Sequence, residues 1–381
     1  MKVVIAIDSF KGSVTSLEGS AAIAAGIRSV YPDAEIISLP VADGGEGTVE
    51  ALVTASGGRF VSLEVTGPLG QPVAAAYGLL GDGRTAVIEV AAVCGLPLVP
   101  EAARNPLHTT TFGVGEMIAG AMRQGVRDFI IGLGGSSTND AGTGMLQALG
   151  YRFLDKDGQD VGRGGAALLD IHSIDAAGAL TGLQACRFRI ACDVDNPLYG
   201  PEGAASIFAP QKGADEEAVR LLDRGLRQWA TAAADLTGSD IASVPGAGAA
   251  GGLGAAFVGL LGGTLESGIG VALEMIELDR HLEGAQLVIT GEGKLDGQTS
   301  RGKVPYGVAQ LARKRDIPVI ALAGSVDHGA EALNDHGITA YFPIVNGPMS
   351  LEDAMDPAGT RYRLQATASQ LLRLLRAAGR L

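Results

Sequence analysis

The chain has 381 residues, 46% of them hydrophobic, which is material for about two domains with well-filled cores. Its 29 Lys plus Arg against 42 Asp plus Glu give a formal charge of −13, which argues against a nucleic-acid-binding face. The 57 glycines follow no collagen period and belong instead to turns, close packing and anion-binding loops.

In chain order, the β-branched run at residues 3–7 predicts a buried strand, and the spacing of Leu17, Ala21, Ala24 and Ile27 predicts a helix over 17–30. A second strand at 35–39 leads through the loop VADGGEG to a helix from about Thr48, a β-α-β-α start typical of a parallel sheet. Strands at 60–65, 73–79 and 85–90 then follow with no helix between them, which points to an antiparallel or mixed sheet. A helix at 113–123, a strand at 128–133 and a helix from about Asn139 come next. Then come a strand at 188–192 and a long amphipathic helix over 216–236. From Ala285 the β-α alternation returns, with strands at 286–290, 319–323 and 339–344 and a last helix over 365–378. The simplest assembly joins both chain ends, 1–66 and 284–381, in one parallel-sheet domain. Residues 67–283 then form an inserted mixed-sheet α/β domain, with the active site in the cleft between the two.

Several classes lack their signatures. Cys94, Cys186 and Cys192 form no C-x-x-C pair, which fits a reducing cytoplasm rather than a disulfide framework. There is no H-E-x-x-H or G-x-S-x-G, and the apolar stretch before Asp8 is too short for a signal-peptide core. The uncharged run 241–265 holds eight glycines and Pro245, so it reads as a buried, glycine-packed helix rather than a membrane span.

Five predicted strands run into glycine loops that carry acidic, hydroxyl or amide groups: DSFKGS, VADGGEGT, GLGGSSTNDAGTG, CDVDNPLYG and GEGKLDGQTSRGK. Such loops are commonly plain turns. All five, however, stand where ligands bind in open parallel sheets, outside the carboxyl ends of strands. GLGGSSTND fits an anion site best, with Gly134 and Gly135 followed by Ser136, Ser137, Thr138 and Asn139 at an expected helix start; Ser137 with Asp140 also reads as a capping box. GQTSRGKV matches seven positions of a phosphate loop, but Val304 stands where Ser or Thr holds magnesium. The G-x-G-x-x-G at Gly246, Gly248 and Gly251 follows no strand and reads as packing. Only seven lysines occur against 22 arginines, yet Lys11, Lys212, Lys294 and Lys303 lie in or beside polar loops, as phosphate clamps or ion pairs require. The complementary acids are Asp8, Asp43, Glu46, Asp140, Asp193, Asp195, Glu292 and Asp296, although capping helices and pairing with lysines are the ordinary roles of such groups.

The strings DSFKGS, PVADGGEGT, GLGGSSTNDAGTGM, DVDNPLYGPEGA, APQKGAD, PGAGAAGGLG and TGEGKLDGQTSRGK, in this order, resemble the bacterial glycerate kinase family of two-domain α/β type. One departure is Ser137, where alanine is commoner. The resemblance implies a flavodoxin-like domain with an inserted mixed α/β domain and ATP-dependent, magnesium-requiring phosphorylation of D-glycerate, with 2-phosphoglycerate favoured over 3-phosphoglycerate. On that basis Asp193 is the expected carboxylate near the attacking hydroxyl, with Asp8 as second choice and Lys11 beside it. Ser136, Thr138, Asn139, Asp140 and Asn196 are expected on the substrate. Gly134, Gly135, Lys212, Gly291, Lys294 and Lys303 are expected on the nucleotide, and Glu292 and Asp296 on Mg2+. A cytoplasmic monomer or homodimer, with no nucleic-acid or membrane partner, completes the expectation. The alternatives are a hydroxy-acid oxidoreductase, which needs a dinucleotide fingerprint after a strand, and a non-catalytic two-domain ligand-binding protein.

Overall fold

In the computed structural model, which describes residues 1–45 and 47–379, the chain divides into two compact units. The first comprises Met1–Asp43, Glu50–Ser56 and the chain from Ile269 onward; the second comprises Gly44–Val49 and Gly57–Gly268. Strands β1 (Lys2–Ile7) and β2 (Glu35–Pro40) open the chain. The middle holds β3 (Arg59–Thr66), β4 (Pro72–Leu79), β5 (Thr85–Glu89), β6 (Asp128–Gly132), β7 (Arg152–Leu154), β8 (Ser173–Asp175), β9 (Arg187–Ala191) and β10 (Thr264–Glu266). The last part adds β11 (Leu287–Leu295), β12 (Val319–Val326) and β13 (Ala340–Pro343).

In the first unit all five strands are parallel, in the order β13-β12-β11-β1-β2, which is the flavodoxin-like winding. Helices cover both faces of such a sheet, so its interior strand β1 is apolar along the buried run: Val3, Val4, Ile5, Ala6 and Ile7 are all fully buried. The helix Ser16–Arg28 starts with a capping box between Thr15 and Glu18 and lays Ile23 and Ile27 into this core. The winding reverses between β1 and β11, and at such a reversal the loops diverge and leave a crevice at the strand ends.

The second unit carries the six-stranded sheet β10-β9-β6-β5-β4-β3, antiparallel between β3 and β5 and parallel from β5 to β10. Against its core lies the helix Glu216–Thr237, which buries Leu222, Leu226, Trp229 and Ala233 along one stripe. No helix among the described residues is long and apolar enough to cross a membrane.

Three local expectations are corrected. β3 belongs to the mixed sheet and residues 269–283 to the first unit, so the divisions fall near 43–57 and 268 rather than 66 and 283. β11 and β12 run past Thr290 and Ala323, because Glu292 pairs with Ala323 and Lys294 with Ser325; Gly291, Glu292 and Lys294 are strand residues, not loop residues. The helix placed at Asn139 begins at Thr143 and is six residues long, because Ala141 and Gly142 take positive φ of 48° and 68°.

Candidate active site

At the reversal in the first unit, the Asp8 N–H donates to Gly291 O at 2.8 Å and so fixes the turn that leaves β1. The Asp8 carboxylate accepts from the Ser9 N–H at 2.6 Å. Burial first, then the negative charges of Asp43 and Glu292, push Asp8 up to about 7. Lys11 is exposed at the tip of the following turn, whose ends are tied by Phe10 N–H to Val14 O (2.9 Å) and Ser13 N–H to Phe10 O (2.8 Å).

Glu292 is buried. It accepts from Thr299 Oγ1 at 2.7 Å and faces Lys303 Nζ at 3.4 Å. Burial raises its pKa, Thr299 and Lys303 pull it back, and Asp43 adds to the rise. Lys303 stands directly before the helix Val304–Arg313, where helix N–H groups favour anions. Lys294 faces Asp327 at 3.0 Å and Asp296 at 3.8 Å, and Asp296 also accepts from the Gln298 N–H at 2.9 Å. The structure thus brings Asp8, Gly291, Glu292 and Lys303 together; Lys294, on β11, is paired with Asp327, and Asp296 is linked to the group through its N–H, which donates to Thr299 Oγ1 at 3.1 Å. Glu46 lies outside the described residues.

Among the described residues no three Asp, Glu, His or Cys side chains form a cage for a metal ion. Mg2+ at phosphoryl-transfer sites is held by only one or two carboxylates, with phosphate oxygens and water completing its shell. The mutually repelling Asp8, Asp43 and Glu292 fit that partial role; Asp296, turned onto its own loop, does not.

In the second unit, β6 runs into a loop whose glycines and side chains separate. Gly134 and Gly135 are exposed, whereas Ser136, Ser137, Thr138, Asn139 and Asp140 are buried, the last three completely or nearly so. Ser137 Oγ donates to Cys94 O at 2.8 Å and caps nothing. Asp140 accepts from the Thr111 N–H (2.9 Å), Thr111 Oγ1 (2.9 Å) and the Gly142 and Gly144 N–H groups (3.1 and 3.3 Å), so the expected capping box is absent. Lys212 is also buried. Its Nζ donates to Ser136 Oγ at 2.9 Å and Thr138 O at 2.7 Å, and burial pushes its pKa down to about 8. The expected nucleotide lysine is therefore an ammonium held inside the loop, beneath the residues that follow the exposed Gly134–Gly135 turn. Asn139 has both side-chain polar atoms buried without a partner, as has Thr138 Oγ1.

The glycine pattern beyond Pro245 explains how this loop is seated. Gly251 has φ of +71°, and a Cβ there would stand 2.1 Å from Thr138 O; its own carbonyl accepts from the Ala141 N–H at 3.0 Å. These glycines are a packing cradle, which removes the dinucleotide reading. Gly251→Ala is expected to cost about 3 kcal/mol or more, from overpacking and a strained φ together, measurable as a fall in denaturation midpoint. A midpoint unchanged from wild type would show that the cradle is looser than this.

Asp193, just past β9, is exposed, and its Oδ1 accepts from the Gly268 N–H at 2.9 Å. Asn196 is used locally: its Nδ2 donates to Glu202 O at 2.8 Å. Sequence reasoning missed Thr111 and Thr299, whose hydroxyls hold Asp140 and Glu292, and Cys94, whose carbonyl anchors Ser137. Thr299 sat within a motif already singled out; nothing local marked the other two.

Comparison with known proteins gives one consistent result. The model of the glycerate kinase family matches residues 3–376. A glycerate kinase of Bacillus subtilis is 51% identical over 94% of each chain, and a glycerate 2-kinase of Escherichia coli is 48% identical over 93% of each. A crystal structure from Salmonella typhimurium LT2, assigned as glycerate kinase 2, covers 100% of both chains with a TM-score of 0.91 and 47% identity.

Proposed function

The chain belongs to the glycerate kinase family, and from that premise we propose that it transfers the terminal phosphoryl group of ATP to D-glycerate, giving 2-phosphoglycerate and ADP. The observation that carries the reading is the match along essentially the whole chain at about half identity, which includes every loop described above. The two loop groups, one on each unit, are proposed to serve a single reaction.

In this reading Asp193 accepts the proton of the attacking hydroxyl, and the exposed Gly134–Gly135 turn receives the substrate carboxylate on backbone N–H groups. Thr138, Asn139, Asp140 and Lys212 shape that turn from beneath, being closed to solvent themselves. Asp8, with Asp43 and Glu292, would hold Mg2+, which neutralises charge on the transferring phosphate when bound. Lys11 and Lys303 contribute positive charge to the phosphates. Lys294 and Asp296 have no direct role, because their charges are committed to Asp327 and to their own turn.

Purified protein with D-glycerate, ATP and Mg2+ is expected to release ADP, and phosphorus NMR of the product is expected to show a phosphate on the 2-hydroxyl. No ADP release under these conditions overturns the reading, and a 3-phosphate overturns its regiochemistry alone. Lys303→Ala is expected to raise the nucleotide KM and lower kcat, each by about 10-fold or more. Kinetics identical to wild type would remove Lys303 from the phosphate site.

A further inference from the structure

Arg363, in the helix Pro357–Ala377, is an arginine for which neither sequence pattern nor the proposed chemistry accounts. It is only 9% exposed, and among the described residues no carboxylate pairs with it. Its guanidinium donates to Ala354 O at 2.6 Å, to Asp353 O at 3.2 Å and to Thr360 Oγ1 at 3.1 Å, and it reaches Met349 Sδ at 3.7 Å. Nε is buried with no partner. A buried cation without a counter-ion is costly, so what it holds is informative.

It holds the stretch Met349–Asp356, which contains the short helix Leu351–Met355, and that stretch leads to the Lys11 turn by two routes. Thr360 Oγ1, bonded to Arg363, accepts from Ser13 Oγ at 2.9 Å. Met355, next to the anchored Ala354, lies over Gly12: a Cβ on Gly12, whose φ is +76°, would stand 2.6 Å from Met355 Cε. Of the two residues that follow Lys11, Ser13 is bonded to a hydroxyl that Arg363 holds, and Gly12 is closely covered by the side chain next to the carbonyl that Arg363 holds, while Lys11 itself is exposed.

We propose that Arg363 is a positioning residue for Lys11: it clamps the 349–360 segment against Gly12 and Ser13 and so sets the direction in which the Lys11 ammonium is presented. The kinetic part of this inference rests on the phosphate role proposed for Lys11; the mechanical part does not.

The test is a double-mutant cycle on the full chain with an independent structural readout. Arg363→Met is expected to raise the nucleotide KM by about 10-fold or more, with a smaller change in kcat, because a misplaced clamp weakens binding of the group it faces. Arg363→Lys, which keeps a donor to Ala354 O, is expected to lie between the two. In a Lys11→Met background the same Arg363→Met change is expected to alter KM by less than about twofold, since the residue it acts through is gone. In the absence of nucleotide, trypsin is expected to cleave after Lys11 faster in Arg363→Met than in wild type. If Arg363→Met does not fold, Thr360→Val and Met355→Ala break one route each and are expected to show the same effects in smaller measure. An equal KM factor in both backgrounds overturns the kinetic coupling, and an unchanged cleavage rate overturns the clamp. If wild type releases no ADP at all, the kinase reading fails, and the cleavage rates still decide the clamp.

Discussion

Asp193→Asn is expected to lower kcat by about 10²–10⁴-fold while leaving the glycerate KM within a few-fold of wild type. The substitution is nearly isosteric, and it separates the hydrogen bond that Asp193 makes from the proton acceptance proposed for it. The Oδ1 that accepts from the Gly268 N–H is retained as an amide oxygen, so the local backbone keeps its partner. The carboxylate able to take a proton is lost. Because Asp193 is exposed, the stability change should stay within about 0.5–1 kcal/mol, which makes a large kinetic effect hard to attribute to misfolding. Asp193→Ala removes the hydrogen bond as well, so it should match the kcat loss and add a further loss of midpoint. Steady-state kinetics with thermal melts on the three proteins is sufficient. Turnover of Asp193→Asn within about twofold of wild type would exclude it as the proton acceptor.

The route from sequence to this site was open where the signal is local and closed where it is long-range. Val3–Ile7 is read correctly because a strand buried on both faces must be apolar at every position. The helix expected at Asn139 fails because S-S-T-N-D carries the residues of a cap, while their partners come from elsewhere. Asp140 is taken by Thr111 and Ser137 by Cys94, and positive φ at Ala141 and Gly142 postpones the helix. The sequence ends this strand at Thr290 because G-E-G-K resembles a turn; pairing with β12 keeps it extended to Leu295. Lys212 and Arg363 show the same limit for charge. Lys212 reads as a phosphate cation and Arg363 sits in an ordinary helical pattern, yet both are buried against backbone carbonyls. Asp8 and Gly134 were placed just past the ends of β1 and β6 because the apolar runs that precede them are local signals. Which residues after Gly134 are buried was not legible, since that depends on the cradle at Gly251 and on Thr111, far away in sequence.

Asp8→Asn is expected to make the protein more stable and at the same time to remove most of its activity. Asp8 titrates near 3.8 when unfolded and near 7 in the folded chain, because burial and the charges of Asp43 and Glu292 disfavour its ionised form. A raised folded pKa means that the native state binds the extra proton. The associated stability is fully present below about pH 4 and is lost as pH rises toward 7. Above pH 7 the native state therefore carries the whole penalty of an ionised Asp8. The full shift corresponds to about 4 kcal/mol, and partial exposure to water lowers this to the order of 2 kcal/mol. Asparagine removes the charge, so Tm should rise by a few degrees at pH 8 and hardly at all at pH 4. In wild type a proton competes with Mg2+ for the same carboxylate, so the Mg2+ concentration needed for half-maximal rate should climb about tenfold per pH unit below 7. Asp8→Asn should lose that pH dependence along with at least about 10²-fold of its turnover. An unchanged Tm at pH 8 would contradict the repulsion among the three acids, and a wild-type Mg2+ requirement would contradict the cation site. If both results appear as expected, the instability at the end of β1 is a consequence of holding acids together for a cation, since a fold selected for stability alone would place a neutral residue there.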